Sequence, residues 1–177
     1  MTRSSLATLS VSLCLLATAS AAPGQPAAGK APRRSGDALC VLTPNDFVAA
    51  GVRNAAKPSA NVQDEGKSAY CVYAGKSAAT GGIELDVFSP AGASPADIKE
   101  TFQTAIGESS SAMTSIRLES ADEARWSGNA VSGGPPFATI AVRRGDLVFV
   151  LGIPASKDAQ TQLTTLSNLV LQRLTSK

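Results

Sequence analysis

The chain has 177 residues, with 16 basic and 14 acidic side chains and a formal net charge of +2. This near balance, and the lack of a basic stripe interleaved with aromatic residues, argue against a nucleic-acid partner. The sequence contains no histidine, so imidazole is not available as a general base or a metal ligand, and we expect no cofactor.

Residues 1–21 have the pattern of an export signal. Arg3 provides the positive start, LATLSVSLCLLATA is an apolar run, and the small residues around Ala21 are typical of a cleavage site. The run is shorter than the roughly 20 apolar residues of a membrane span, and no later stretch reaches that length. Neither Cys14 nor Cys40 stands where a lipid-bearing cysteine would. We therefore expect a soluble chain without a transmembrane anchor, secreted or held in the periplasm or cell envelope.

Residues 22–36 are rich in Ala, Pro and Gly. They have little apolar surface to bury, so the sequence predicts a disordered tether. Residues 37–177 then form a single domain of roughly 140 residues, which is long enough for one hydrophobic core.

Two cysteines, Cys40 and Cys71, remain after the signal. An exported chain enters an oxidising compartment, so this pair predicts one disulfide bond. A metal site would need further ligands nearby, and a cysteine nucleophile would lack its usual imidazole partner.

From the sequence of this domain we predict, in chain order, a helix, two strands, a second helix, four strands and a third helix. The first helix begins at Thr43 and ends at Gly51, the second is capped by Ser94, and the third by Ser156. The predicted strands are SAYCVYAG, GGIELDVF, SIRLES, EARWSG and the two arms of the hairpin FATIAVRRGDLVFVLGI. Hairpins without regular βαβ alternation indicate an α+β fold, an antiparallel sheet of about five or six strands with helices packed on it.

The stretches LCVLTPNDFVAAG, YCVYAG and ESADEARWSG, followed by a hairpin and a helix, resemble an uncharacterised domain of small actinobacterial cell-envelope lipoproteins. In that family a cysteine precedes an LLT-x-x-D helix start, a second precedes an aromatic residue, and a GDEA segment follows. Here the lipid-bearing cysteine is absent, and Ala121 replaces the glycine of GDEA. The resemblance implies an exported, non-catalytic envelope domain. The matching residues are Cys40, Leu42, Thr43, Asp46, Cys71, Tyr73, Asp122, Glu123, Ala124 and Trp126.

Glu84 and Asp86 are two residues apart on a predicted strand, so both point to the same face of the sheet. At roughly 7 Å apart they are within the range of a glycosidase carboxylate pair. Acidic residues on a solvated sheet face alternate in the same way. The pair supports the alternative function, a hydrolase of unrecognised type.

Trp126, the only tryptophan, precedes a Gly-rich loop that extends to Pro136. The loop is longer than a tight turn needs and poor in apolar residues, so we predict a ligand rim formed by Trp126, Asn129 and Phe137. A tryptophan buried in the core is the competing interpretation. The favoured function is an exported, non-catalytic binding or interaction domain of the bacterial cell envelope or extracellular space. Its expected partner is an envelope or extracellular protein, or a cell-wall or lipid component.

Overall fold

Seven antiparallel strands form one sheet, and three α-helices pack on it. The computed structural model describes residues 36–63, 67–74, 82–89, 92–107, 113–128 and 136–175. The predicted signal, and the predicted tether except its last residue, lie outside these residues. The predicted α+β fold is confirmed, with seven strands rather than five or six.

The chain builds the sheet as two meanders. The spatial order is β1-β2-β3-β7-β6-β5-β4. The first meander is β1–β3; α2 then carries the chain to the far edge, and the second meander returns until β7 pairs with β3. The strands are β1 (Ser59–Gln63), β2 (Ser68–Ala74), β3 (Ile83–Phe88), β4 (Thr114–Ser115), β5 (Glu123–Ser127), β6 (Phe137–Arg144) and β7 (Leu147–Pro154). The helices are α1 (Pro44–Ala49), α2 (Pro95–Gly107) and α3 (Ala159–Thr175).

Both ends of α1 are determined by local interactions. At its start, the Asp46 carboxylate accepts hydrogen bonds from the Thr43 backbone N–H at 2.6 Å and the Thr43 hydroxyl at 2.8 Å. At its end, Gly51 has a φ of +79°, and the Val52 N–H donates to the Phe47 carbonyl at 2.7 Å. This is a Schellman termination, in which glycine avoids the strain of the left-handed conformation. The predicted start and end of this helix are both confirmed.

The two faces of the sheet are covered unequally. On the face that we call the main-core face, α1 and α3 pack over a large hydrophobic core that includes Leu85, Ile140 and Leu151. On the opposite face, which we call the α2 face, α2 packs over a smaller cluster. That cluster consists of Ile98, Phe102, Ala141 and Val148. The α2 face is therefore where polar strand residues remain within reach of solvent.

The disulfide between Cys40 and Cys71 is present, with the two Cα atoms 5.7 Å apart. It joins the segment before α1 to β2. The rings of Phe47 in α1 and Tyr73 in β2 pack in the same layer, with centroids 4.8 Å apart. The bond therefore anchors a six-residue helix that is too short to be stable alone.

Three local predictions differ from the structure. Residues Ser59–Gln63 form β1, although SANVQ has no apolar alternation that predicts a strand. The predicted strand SIRLES, residues 115–120, shares only Ser115 with the two-residue β4 (Thr114–Ser115). Ser156 does not cap α3, because the helix begins at Ala159 and Asp158 is the residue directly before it. The Ser156 hydroxyl instead donates to the Gln162 side chain at 3.1 Å. The first two differences have one cause, since an edge strand is determined by the pairing of its neighbour more than by its own residues.

An ion pair between the ends of the domain provides a testable contribution to stability. Arg173 in α3 donates to both carboxylate oxygens of Asp46, at 2.6 and 2.7 Å, and to the Val41 carbonyl at 2.7 Å. The Asp46 side chain is only 13% exposed, whereas that of Arg173 is 36% exposed. Chiefly through the hydrogen bond from Arg173, the pKa of Asp46 is lowered to about 2.

We expect Arg173→Gln to lower the free energy of unfolding at pH 7 by about 1–2 kcal/mol. The loss is no larger because solvent screens the partly exposed arginine. The pKa of Asp46 is lower in the folded state than in the unfolded state, so its stabilisation is present above pH ~4 and is lost as the pH falls towards ~2. Urea unfolding at pH 7 and pH 2.5 should show a smaller gap between wild type and variant at the acidic pH. Arg53→Gln, at an exposed arginine, is the control and should stay within about 0.5 kcal/mol. An equal gap at both pH values would contradict the role given to Asp46.

Candidate functional site

The α2 face carries a polar cluster on β2 and β3. Glu84 and Asp86 both point to this face, as predicted from their spacing, and Tyr70 lies directly opposite Asp86 in the register of the two strands. The Tyr70 hydroxyl donates a hydrogen bond to Glu84 Oε2. All three side chains are half-buried.

Burial, and after it the two carboxylates, strengthen the preference of Tyr70 for its protonated form. Burial raises the pKa of Tyr70, and the hydrogen bond to Glu84 and the charges of Glu84 and Asp86 raise it further. Tyr70 is therefore a neutral hydrogen-bond donor at physiological pH. Its bond to Glu84 orients that carboxylate along the sheet.

A groove of about 440 Å³ lies further along the same face, between β3 and α2. Phe88, the next residue after Asp86 that points to this face, lines it together with Ala105 of α2. The polar side chains that line it lie at helical spacing along α2: Asp97, Glu100, Thr101 and Thr104. Ligand-binding pockets combine apolar surface with placed polar groups, and this groove has a mixed lining of two apolar and four polar residues.

Two of the polar groups in the groove are held by the helix itself. The Asp97 carboxylate accepts hydrogen bonds from the Ser94 N–H at 3.0 Å and the Ser94 hydroxyl at 2.8 Å, which confirms the predicted cap of α2. The Thr101 hydroxyl donates to the Asp97 carbonyl at 2.9 Å. Asp97 and Glu100 carry negative charge, so the groove favours a ligand with an apolar part and a positive or hydrogen-bond-donating group.

Trp126 and Phe137, two residues of the predicted ligand rim, point to opposite faces of the sheet. Trp126 pairs with Ile140 in the sheet and packs, half-buried, against the main core. Phe137 lies an odd number of residues from Ile140 on the same strand, so it points to the opposite, α2 face. It is also buried, with only 2% of its surface exposed. Asn129 lies outside the described residues.

Phe137 has a packing role. Its ring lies directly against Gly152 of β7, in the space where any other residue would place a Cβ atom. The Cγ of Glu84 lies 3.5 Å from that same position, so the stem of the glutamate packs beside the ring. The absence of a side chain at Gly152 thus allows an aromatic residue to cover the middle of the sheet.

The segment Asp122–Glu123, which carries part of the family resemblance, holds the β6–β7 hairpin. The Asp122 carboxylate accepts a hydrogen bond from the Gly145 N–H in the turn at 2.7 Å and lies 3.4 Å from the Arg143 guanidinium. Glu123 forms a salt bridge with Arg125 at 3.1 Å. These acidic residues therefore have structural partners within the second meander.

Sequence reasoning missed the groove and the role of Tyr70. In the sequence Phe88 is simply the last residue of the predicted strand GGIELDVF, and α2 is predicted only as a helix capped by Ser94. The helical spacing of Asp97, Glu100 and Thr104 is visible in the sequence, but nothing in the sequence shows that Phe88 lies beside them. The groove exists because α2 crosses the sheet next to β3, which is a tertiary contact.

Comparisons of this chain with protein-family models, with curated proteins and with solved structures found no match. Within the described ranges, no group of three or more Cys, Asp and Glu residues is arranged to hold a metal ion. None of the helices in the described part of the chain has the length and apolar character of a membrane span.

Proposed function

We propose that this chain is an exported, non-catalytic binding domain of the bacterial cell envelope or extracellular space, and that it binds its ligand in the groove between β3 and α2. The observation that carries the proposal is the 440 Å³ groove, where Phe88 and Ala105 adjoin the acidic and hydroxyl side chains of α2. Export is supported by the signal-like residues 1–21 and by the disulfide. The resemblance to small actinobacterial envelope lipoproteins supports the same setting. The ligand is an envelope or extracellular protein, or a cell-wall or lipid component.

The hydrolase alternative depends on Glu84 and Asp86. They share a face, as a catalytic pair would, but the groove is lined by the neighbouring Phe88 and by α2. The hydroxyl of Tyr70 already occupies one oxygen of Glu84. These contacts favour a binding role for this face over hydrolysis.

The groove predicts the effect of a substitution that fills it. Thr104→Trp places an indole in the groove, and we expect at least a tenfold loss of ligand capture from envelope extract. Gln103→Trp is the matched control, because this neighbouring exposed residue of α2 does not line the groove. The oxidised mature domain, from Ala22 onwards, is immobilised, and captured proteins, lipids and wall fragments are identified by mass spectrometry.

If wild type and Gln103→Trp both capture the ligand and Thr104→Trp does not, the result supports binding in the groove. Equal capture by all three proteins places the binding surface elsewhere and contradicts the proposal. Release of a cleaved product from extract, abolished by Glu84→Gln, would favour the hydrolase instead.

A further inference from the structure

The two edges of the sheet differ in how far they are protected. At one edge β4 has two residues, too few to act as a template for another strand. At the other edge β1 has five residues, and β2 is the only described strand that pairs with it. The outer side of β1 therefore presents backbone N–H and C=O groups that no described strand pairs.

Nothing within β1 discourages further pairing. Its residues, Ser59–Gln63, include no charged side chain and no proline, which are the usual means of protecting an edge strand. Val62 is 42% exposed, and only one other large hydrophobic residue among those described, Val48, is exposed. An exposed valine on an uncharged edge is a typical position for the addition of a strand.

The side chains of β1 alternate in register with β2. Ala60 and Val62 lie opposite Cys71 and Ala69, both buried, so they extend the main-core face. Asn61 lies opposite Tyr70 and extends the polar α2 face. A strand added outside β1 would continue both faces only if it had the same alternation of apolar and polar residues.

We propose that β1 pairs with β1 of a second copy of this chain, antiparallel around a twofold axis at Asn61. In this register Asn61 lies opposite Asn61 of the second copy, and Ala60 lies opposite Val62 of the second copy, a small residue beside a larger one. Ser59 lies opposite Gln63. A second β1 therefore has the alternation of apolar and polar residues that the added strand needs. Because β1 carries no charge, two copies of it do not repel each other.

The symmetry determines the size of the assembly. A twofold contact uses the same edge of both copies and so closes at two. The remaining outer edges of the joined sheet are both β4, whose two residues offer no further pairing. Five paired residues on each side make a contact smaller than the roughly 1,200–2,000 Å² of a stable interface, so the dimer is weak and reversible.

A charge exchange at the twofold axis tests the proposal. Asn61 is exposed, so Asn61→Lys and Asn61→Asp leave the core unchanged. Because Cβ atoms of directly opposed residues lie roughly 4.5–5.5 Å apart, each variant places like charges together in its own dimer. We expect each variant alone to dimerise at least tenfold more weakly than wild type, and an equimolar mixture of the two to recover dimerisation.

Sedimentation equilibrium of the oxidised mature domain, from about 10 µM to about 1 mM, measures the dissociation constants. The matched controls are Val48→Lys and Val48→Asp, alone and mixed, because Val48 is 68% exposed on α1 and lies outside the edge. These controls should dimerise as wild type does. If wild-type protein stays monomeric over the whole concentration range, the proposal is overturned. This holds also if the monomer captures an extended segment of another protein. Single variants that weaken the dimer without recovery in the mixture also overturn it, because Asn61 would then not face its own copy.

Discussion

Replacing both Cys40 and Cys71 by alanine is expected to lower the free energy of unfolding by about 3–4 kcal/mol. The bond closes a loop across a sequence separation of 31 residues, and removing it increases the conformational freedom of the unfolded chain. The effect on the folded state has the same direction, because Cys71 is fully buried and the bond anchors the segment that leads into α1. Unfolding by guanidinium chloride, followed by circular dichroism, measures the difference.

Reductant separates the loss of the bond from any effect of the alanine side chains. Wild-type protein in reductant should unfold close to the double variant, whereas the variant itself should not respond to reductant. A wild-type protein whose unfolding midpoint does not change on reduction would show that the bond contributes little. Thiol titration under denaturing, non-reducing conditions should find no free thiol in oxidised protein produced from Ala22 onwards, which lacks Cys14.

Gly152→Ala is expected to lower the free energy of unfolding by about 2–3 kcal/mol. A Cβ atom at this position would overlap Cε1 and Cζ of Phe137, whose ring is buried on the α2 face. The ring must leave its place or the strands must separate, and a close-packed interior resists both. Denaturant unfolding measures the loss.

Two further variants identify the cause as the contact with Phe137. Phe137→Leu combined with Gly152→Ala should be more stable than the sum of the single losses predicts, by at least about 1 kcal/mol, because the two residues compete for one space. Gly107→Ala is the control, since a Cβ atom there meets no atom within 4 Å, and it should not lower the free energy of unfolding. Additive losses in the double variant would rule out the overlap as the cause.

The elements predicted correctly are those whose signals lie within a few residues. Thr43 and Asp46 mark the start of α1 and Gly51 its end, because capping hydrogen bonds join residues close in sequence. The apolar face of α3 and the β6–β7 hairpin follow from periodicity and from the glycine in the turn. The pairing of Cys40 with Cys71 follows from counting, since only two cysteines lie after the predicted signal.

The two described residues of the predicted ligand rim point to opposite faces of the sheet, for a physical reason. Trp126 and Phe137 are near in sequence, and an aromatic residue beside a Gly-rich loop is a reasonable candidate for a ligand rim. Yet they lie on different strands, and the register of β5 and β6 directs them to opposite faces. A change of one residue in that register would reverse the face of either side chain. No local pattern determines it.

The fold class, the disulfide, the caps of α1 and α2 and the shared face of Glu84 and Asp86 could all be predicted from the amino-acid sequence. Each depends on local hydrogen bonds, periodicity or the count of cysteines. Three features could not be predicted in this way: Ser59–Gln63 forms an edge strand, Phe137 covers Gly152, and α2 lies beside Phe88 to form the groove. These features arise where residues far apart in the chain meet. Their energies come from pairing and packing between elements, which no single segment contains.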